Sequence, residues 1–257
     1  MSPSKVTFLG TGTSQGIPMI ACDCTVCEST DERDKRLRVS IHVEIGGKSF
    51  IIDTGPDFRQ QVLRAGIKRL DAVLYTHEHK DHTAGMDDLR GFNYHQQATI
   101  PLYARAQVIE QLKREFAYAF GENKYPGAPS VSQVVVKNNE TFHVKDQEVV
   151  PINAYHGNLQ VFGYKIGGIV YLTDVKTIDI SEIDKIKGCE ILVINCLREE
   201  PHNTHFNLDE ALEFISLVQP KKTYLTHISH LFGFHEEIQA KLPENIYVAY
   251  DNLKLTI

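Results

Sequence analysis

Three histidines and an aspartate fall within six residues in His77-Glu78-His79-Lys80-Asp81-His82, directly behind the apolar run Asp71–Tyr75. No other feature constrains the fold as much. A short buried strand must end where four nitrogen and oxygen donors converge. His77 and His79, two residues apart at a strand end, can point to the same side, and Gly85 then lets the chain leave. The donor types suit zinc, manganese or iron rather than calcium. This cluster cannot complete two coordination shells alone, so the fold has to bring ligands from distant segments. Three candidates stand at expected strand ends, each beside small or turn-forming residues. They are His156 in Ala154-Tyr155-His156-Gly157, Asp174 in Tyr171-Leu172-Thr173-Asp174, and His227 in Leu225-Thr226-His227. Each alone reads as an ordinary hydrogen-bonded residue; their order behind the cluster gives them weight.

With 257 residues, 42% hydrophobic and 23% charged, the chain can bury the core of one large α/β domain. A net charge of −6 and a pI near 6.1 argue against nucleic acid or anionic lipid as a partner. No apolar run approaches the ~20 residues of a bilayer span, and Met1-Ser2-Pro3-Ser4-Lys5 lacks the apolar stretch of a signal peptide. The expectation is a cytoplasmic protein with no membrane partner. No repeat or linker interrupts residues 1–257, which read as a single domain.

Strands are expected at Val39–Glu44 and Ser49–Asp53 around Gly46-Gly47, and at Asp71–Tyr75. A helix is expected over Pro56–Ala65, with Pro at its start and Gly66 past its end. The middle predicts a helix from about Arg105 to Phe120 and a site-bordering loop over Gly121–Ser130. Strands follow at about Val131–Val136, Thr141–Val144 and Glu148–Ala154, then the hairpin Val161–Ile166 and Ile169–Thr173. The last third alternates helix Ile180–Ile186, strand Glu190–Asn195, helix Leu208–Val218, strand Thr223–Thr226 and helix Glu236–Lys241. Strands Ile246–Tyr250 and Leu253–Thr256 close the chain. Two packed sheets with helices outside follow from this order.

Five cysteines are present, and Cys22, Cys24 and Cys27 crowd into six residues. That fits metal ligation in a reducing compartment better than a disulfide framework. Three thiolates need a fourth ligand to close a tetrahedral zinc site. His230, three residues past His227 in Thr226-His227-Ile228-Ser229-His230, is the best candidate. The knuckle spans about residues 20–36. Arg33-Asp34-Lys35-Arg36-Leu37-Arg38, the most basic stretch, reads as a solvated loop beside it. Cys189 and Cys196 flank a buried-looking strand and read as inert core thiols.

The run His77-x-His79-x-Asp81-His82, with His156, Asp174 and His227 behind it and Ile51-Ile52-Asp53-Thr54-Gly55 ahead, resembles the metallo-β-lactamase fold superfamily over almost the whole chain. The resemblance implies an αββα sandwich of two mixed β-sheets with outer helices. It implies one metal on His77, His79 and His156, a second on Asp81, His82 and His227, and Asp174 between them. Asp53 would orient the histidine loop. A Cys at Asp174 would point to the lactamases, and a Glu at His79 to diiron relatives; neither is present. A full His/Asp set suits hydrolysis at phosphorus by a metal-bridging hydroxide.

Phe8-Leu9-Gly10-Thr11-Gly12-Thr13-Ser14-Gln15-Gly16-Ile17-Pro18, the cysteine knuckle and Leu225-Thr226-His227-Ile228-Ser229-His230 narrow the resemblance. They are similar to the phosphoribosyl 1,2-cyclic phosphate phosphodiesterase group of the ribonuclease Z-like branch. That group implies a structural zinc on Cys22, Cys24, Cys27 and His230; the two active-site ions are expected to be zinc or manganese, and the donor types leave iron open as well. It also implies a protonated His205 at the scissile phosphate, with His202 as the alternative, so that Asp81 and His205 carry the chemistry. The expected substrate is a small, cyclic phosphodiester. An exposed knuckle would offer a homodimer contact. Rival readings are a transfer RNA 3′-processing endoribonuclease, a cofactor-biosynthesis protein of the pyrroloquinoline quinone type, and a non-catalytic metal-stabilised binding module. The chain has no long basic arm to hold tRNA.

Overall fold

The computed structural model describes residues 3–121 and 124–257. The chain enters through β1 (Lys5–Gly10) and α1 (Thr25–Glu28) and returns in the hairpin β2 (Ser40–Ile45) and β3 (Lys48–Ile52). Next come α2 (Phe58–Ala65), β4 (Ala72–Leu74), α3 (Lys80–Thr83), α4 (Arg90–Gln96) and β5 (Ile100–Ala104). The middle holds α5 (Ala106–Glu115), α6 (Ala117–Phe120), β6 (Val131–Val135), β7 (Phe142–Val144), β8 (Gln147–His156) and β9 (Leu159–Ile166). β10 (Ile169–Leu172), β11 (Thr177–Ile178), α7 (Ile180–Ile186), β12 (Ile191–Asn195) and α8 (Leu208–Val218) lead to β13 (Lys222–Thr226). α9 (His235–Lys241), β14 (Ile246–Val248) and β15 (Lys254–Thr256) end the chain.

One sheet has the order β15-β1-β2-β3-β4-β5-β6; the other runs β11-β8-β9-β10-β12-β13-β14, with β7 paired to β8. Both are mixed. β3 to β6 are mutually parallel, as are β10, β12, β13 and β14, while the hairpins are antiparallel. Alternation sorts each strand between two cores. Phe50 and Ile52 of β3, Tyr171 of β10 and Val193 of β12 fill the space between the sheets. Ile51 and Val73 instead lie with Phe58 of α2 and Leu112 of α5 on the outer side of the first sheet. Val170, Leu192 and Leu225 meet Phe214 of α8 and Ile238 of α9 on the outer side of the second. Strands buried on both faces need unbroken apolar runs, and the resulting order is the αββα sandwich.

Several expectations need correction. The helix over 105–120 breaks at Phe116, whose φ of −119° and ψ of 41° leave the helical region while its ring turns inward. Pro56 and Asp57 form a turn, closed by Phe58 N–H donating to Gly55 O at 3.0 Å, so α2 starts two residues late. Its end does fall at Gly66, left-handed at φ 72°. β5 and α4 occupy a stretch where no element was expected. Arg33–Arg38 is not a solvated loop: Arg36 is 3% exposed and donates from Nη1 to Thr11 Oγ1 and Ala249 O. Asp34 is buried too, accepting from Ser29 Oγ and from His235 N–H. Part of the loop at 121–130 lies outside the described residues. Its end at Ser130 bonds Asn93 and Thr99 and not the ligand cluster.

Candidate metal centre

Most residues of the site sit at or just beyond the carboxyl end of a strand, while Asp81 and His82 lie in α3. Asp53 follows β3, His77 follows β4, His156 ends β8, Asp174 follows β10 and His227 follows β13. Asp53, Asp174 and His227 have φ of 64°, 58° and 57°. That left-handed region costs an L-residue about 1–2 kcal/mol, so the surrounding structure must hold it. Gly55 and Gly85 show how. A Cβ on Gly55 would collide with Asp81 O, and one on Gly85 with Gly55 O. The two loops also exchange backbone bonds, Thr54 N–H to His82 O at 2.7 Å and Gly85 N–H to Thr54 O at 2.8 Å.

Three groups of donors share Asp174. Asp174 Oδ1 lies 3.2 Å from His227 Nε2 and 3.5 Å from His82 Nε2, and His82 Nε2 lies 3.3 Å from Asp81 Oδ2. The other oxygen, Asp174 Oδ2, lies 3.8 Å from His77 Nε2. His77, His79 and Asp174 form one ligand-distance group, and His156, Asp174 and His205 another. Metal bonds of about 2.0–2.2 Å in tetrahedral array place neighbouring N and O ligands about 3.4 Å apart, close to these separations. Nε2 of His77, His82 and His227 is buried without a hydrogen-bond partner. Buried polar atoms are rarely left so, and a divalent ion is what this donor set fits.

Hydrogen bonds fix the tautomers that such a role requires. Asp53, fully buried, accepts from Thr76 N–H at 2.8 Å, from Thr76 Oγ1 at 2.8 Å and from His82 Nδ1–H at 2.7 Å. Because the Thr76 hydroxyl donates to Asp53, it accepts from His77 Nδ1–H at 3.0 Å. His156 Nδ1–H donates to Thr204 O at 2.7 Å. All three rings thus present a bare Nε2. Burial opposes charge on His82, but Asp174, Asp53 and Asp81 outweigh it and hold its pKa well above the ordinary value.

His205 is buried, its ring centroid 4.5 Å from that of His156 and 4.7 Å from that of His227. Its Nδ1 has no partner. Burial first, and then His227, push this imidazole down to about 3. His202 is only half-buried, 5.1 Å from His205 ring to ring, and its Nδ1 is taken by Thr204.

A second centre lies beyond β13. Sγ of Cys22, Cys24 and Cys27 lie 3.5, 3.3 and 3.7 Å from His230 Nδ1. Zinc bonds of about 2.3 Å to sulfur and 2.0–2.1 Å to nitrogen predict about 3.6 Å for a tetrahedral site. The His230 hydrogen bond lowers the Cys24 thiol to about 6, whereas burial raises Cys27 to about 11. The knuckle ties the amino-terminal loop to the His227 strand end, where Gly12 bridges Ile228 and Thr13 N–H donates to Ile228 O at 3.1 Å. Cys189 and Cys196 are buried core thiols, and burial raises both.

Spacing along the chain carried no sign of two parts of this machinery. The Thr76 hydroxyl relays Asp53 to His77, and the Thr204 carbonyl sets His156. Only a strand register that places β3 beside β4 brings Asp53 to Thr76.

The fold and the ligand set define a metallohydrolase-type protein, and the model of the beta-lactamase superfamily domain matches residues 48–228. The crystal structure of a new diphosphatase from the PhnP family is 40% identical, covering 99% of this chain and 97% of that one with a TM-score of 0.92. The chain belongs to the metallo-β-lactamase superfamily and, within its ribonuclease Z-like branch, to the PhnP family. Octanoyltransferase of Porphyromonas gingivalis is 42% identical over 255 residues, 98% of this chain but 51% of that protein. The chain thus spans about half the length of that curated relative. The short form of human tRNase Z, at 18% identity and a TM-score of 0.70 over 98% of this chain and 99% of that one, shares the fold. No helix among the described residues is long and apolar enough to cross a membrane.

Proposed function

We propose that this protein is a dinuclear metal-dependent phosphodiesterase acting on a small phosphodiester, with a phosphoribosyl 1,2-cyclic phosphate as the first substrate to test. One observation carries the reading: the two oxygens of Asp174 face different histidines, Oδ1 towards His82 and His227 and Oδ2 towards His77. His77, His79 and His156 would hold one ion, Asp81, His82 and His227 the other, and Asp174 both. Cys22, Cys24, Cys27 and His230 would hold a structural zinc. When bound, the metal pair supplies a water nucleophile at neutral pH and neutralises phosphate charge.

The chain's own residues then do three things. The left-handed turns at Asp53, Asp174 and His227 present the ligands, and Asp53 and Thr204 keep each Nε2 free. Asp81 adds a second carboxylate beside His82 and balances its cation. His205, beside both His156 and His227, can donate a hydrogen bond to a phosphate oxygen. Turnover of a ribose cyclic phosphate with two pair metals bound, and loss of both turnover and one metal in Asp174→Ala, is the expected result. Wild-type turnover in that variant would end the reading. The diphosphatase identity of the 40% identical relative favours a second substrate, a small diphosphate. A panel holding both bond types separates them.

The Porphyromonas gingivalis relative supports a further association. This chain covers about half of it. We assign octanoyl transfer to the other half, and infer that this hydrolase works beside medium-chain acyl transfer. Co-purification with an octanoyl-transferring protein from its own cells tests that, and its absence at native levels would count against it.

A further inference from the structure

A polar cleft lies at the end of the first sheet opposite the metal ligands. Its floor is the outer face of β15, β1, β2 and the start of β3, and its wall is the segment 65–69 that leaves α2. The volume is about 820 Å³, within the ~300–1,000 Å³ of small-molecule sites. Thr7 of β1 and His42 of β2 stand opposite one another in register on that floor, only 7% and 5% exposed. Ser49 Oγ donates to Arg69 O at 2.6 Å, so it accepts from His42 Nε2–H at 2.7 Å. His42 Nδ1 is thereby a bare acceptor, and burial, which lowers the imidazole to about 4, keeps it neutral. Neither Nδ1 nor Thr7 Oγ1 has a hydrogen-bond partner among the described residues, and both residues line the cleft. Polar atoms this deep are rarely left unpaired, so the floor is equipped to receive hydroxyl groups.

The rim is cationic. Lys5, Lys48, Lys68, Arg69 and Lys254 line it against one acid, Glu44, on a chain whose net charge is −6. Lys48 pairs with Asp146 and Arg69 with Asp71. Among the described residues, Lys5, Lys68 and Lys254 have no carboxylate within salt-bridge distance. Apart from His42, no lining residue carries an aromatic ring, so a nucleobase would find no face to stack on. Free lysines above partnerless hydroxyl and imidazole atoms fit a compact dianion that carries hydroxyls.

We propose that this cleft binds a sugar phosphate, its phosphate on Lys5, Lys68 and Lys254 and its hydroxyls on Thr7 and His42. The site is separate from the metal centre. It opens at the amino ends of β1 and β3, whereas Asp53 follows the carboxyl end of β3. It does not rest on the phosphodiesterase reading.

Calorimetric titration of the metal-loaded protein with ribose 5-phosphate, ribose, inorganic phosphate and AMP tests this. Ribose 5-phosphate should bind more tightly than the other three, since it alone engages rim and floor without a base to accommodate. Lys68→Gln with Lys254→Gln should weaken it at least about tenfold and flatten its salt dependence, with metal content and phosphodiester turnover unchanged. Thr7→Val and His42→Gln each remove one floor atom. Either should weaken ribose 5-phosphate roughly two- to tenfold and leave inorganic phosphate as it was. Ribose 5-phosphate binding that survives the paired lysine change belongs to the metal centre and overturns the proposal. Inorganic phosphate binding as tightly as ribose 5-phosphate overturns it, because the floor would then read nothing. Tighter binding of AMP overturns it too, because the cleft would then read a base. Turnover is measured separately, so failure here leaves the phosphodiesterase reading untouched.

Discussion

Replacing Asp53 by Asn tests the site through a residue that touches no metal. The carboxylate accepts three hydrogen bonds, and two decide tautomers: His82 Nδ1–H directly, and His77 Nδ1–H through the Thr76 hydroxyl. An amide keeps the shape but has one oxygen. With that oxygen left on Thr76 N–H, the amide NH2 faces Thr76 Oγ1 and His82 Nδ1. Both rings must then accept at Nδ1 and carry their proton on Nε2, where each would otherwise ligate. One substitution thereby blocks one ligand of each ion.

The escape is to flip the amide, which keeps both tautomers but sets NH2 against Thr76 N–H. A buried donor left without a partner costs about 1–3 kcal/mol, or roughly 5- to 150-fold in affinity for the pair. That range agrees with the ~10–100-fold seen when partners of metal-bound histidines are removed. The assay is elemental analysis after a timed chelator wash, followed by readdition of metal. Asp53→Asn should lose the pair and keep the knuckle zinc, an internal control in the same molecule. The folded content, read by circular dichroism, should stay near wild type. A variant that retained the pair at the wild-type rate would refute the relay through Thr76 and the roles assigned to both Nε2 atoms.

Three more perturbations separate the parts. His205→Asn should lower turnover about 10²–10⁴-fold with metal content unchanged; a fall in metal occupancy by elemental analysis would make His205 a ligand instead. Cys24, lowered to about 6 mainly by the His230 hydrogen bond, is thiolate above that pH and protonated below it. Proton competition for Cys24 should therefore weaken zinc binding at the knuckle increasingly below that pH, and a zinc affinity, read with a chromophoric chelator, that stayed constant across it would contradict this. Gly85→Ala forces a Cβ onto Gly55 O and Phe58. Overpacking of this kind costs about 1–3 kcal/mol, so melting should fall by roughly 2–12 °C, and an unchanged melting temperature would rule out the close backbone approach.

What could be read in the sequence followed from chemistry that is local in the chain. Apolar runs mark strands buried on two faces, and a histidine, aspartate or cysteine at a strand end declares itself by type. Ile51-Ile52-Asp53 and Tyr171-Leu172-Thr173-Asp174 are legible on those terms. Phe116 is not: α5 ends there because burying one ring competes with continuing the helix, and that depends on what lies beneath. β5 is not legible, because Ile100-Pro101-Leu102-Tyr103-Ala104 carries a Pro, which argues against a central strand. Pro101 nevertheless lies between β4 and β6, opposite Ser132. Arg36 looked solvated because charge is normally exposed; its partners Thr11 and Ala249 come from opposite ends of the chain. The three left-handed residues at Asp53, Asp174 and His227 likewise carry no signature, since only loops packed on both sides impose them.

The ligands also divide by sheet in a way that makes the metal pair a structural element. His77, His79, Asp81 and His82 hang from β4 of the first sheet, whereas His156, Asp174 and His227 hang from β8, β10 and β13 of the second. Each ion in the proposed set draws donors from both sheets, so loading clamps one edge of the sandwich. Direct bonds already cross there: Phe162 N–H donates to Thr76 O at 3.0 Å and Tyr164 Oη to Tyr75 O at 2.7 Å. They hold the strand ends of the two sheets beside one another at that edge, so the ligands are set in register by direct hydrogen bonds as well as by any ion they would share.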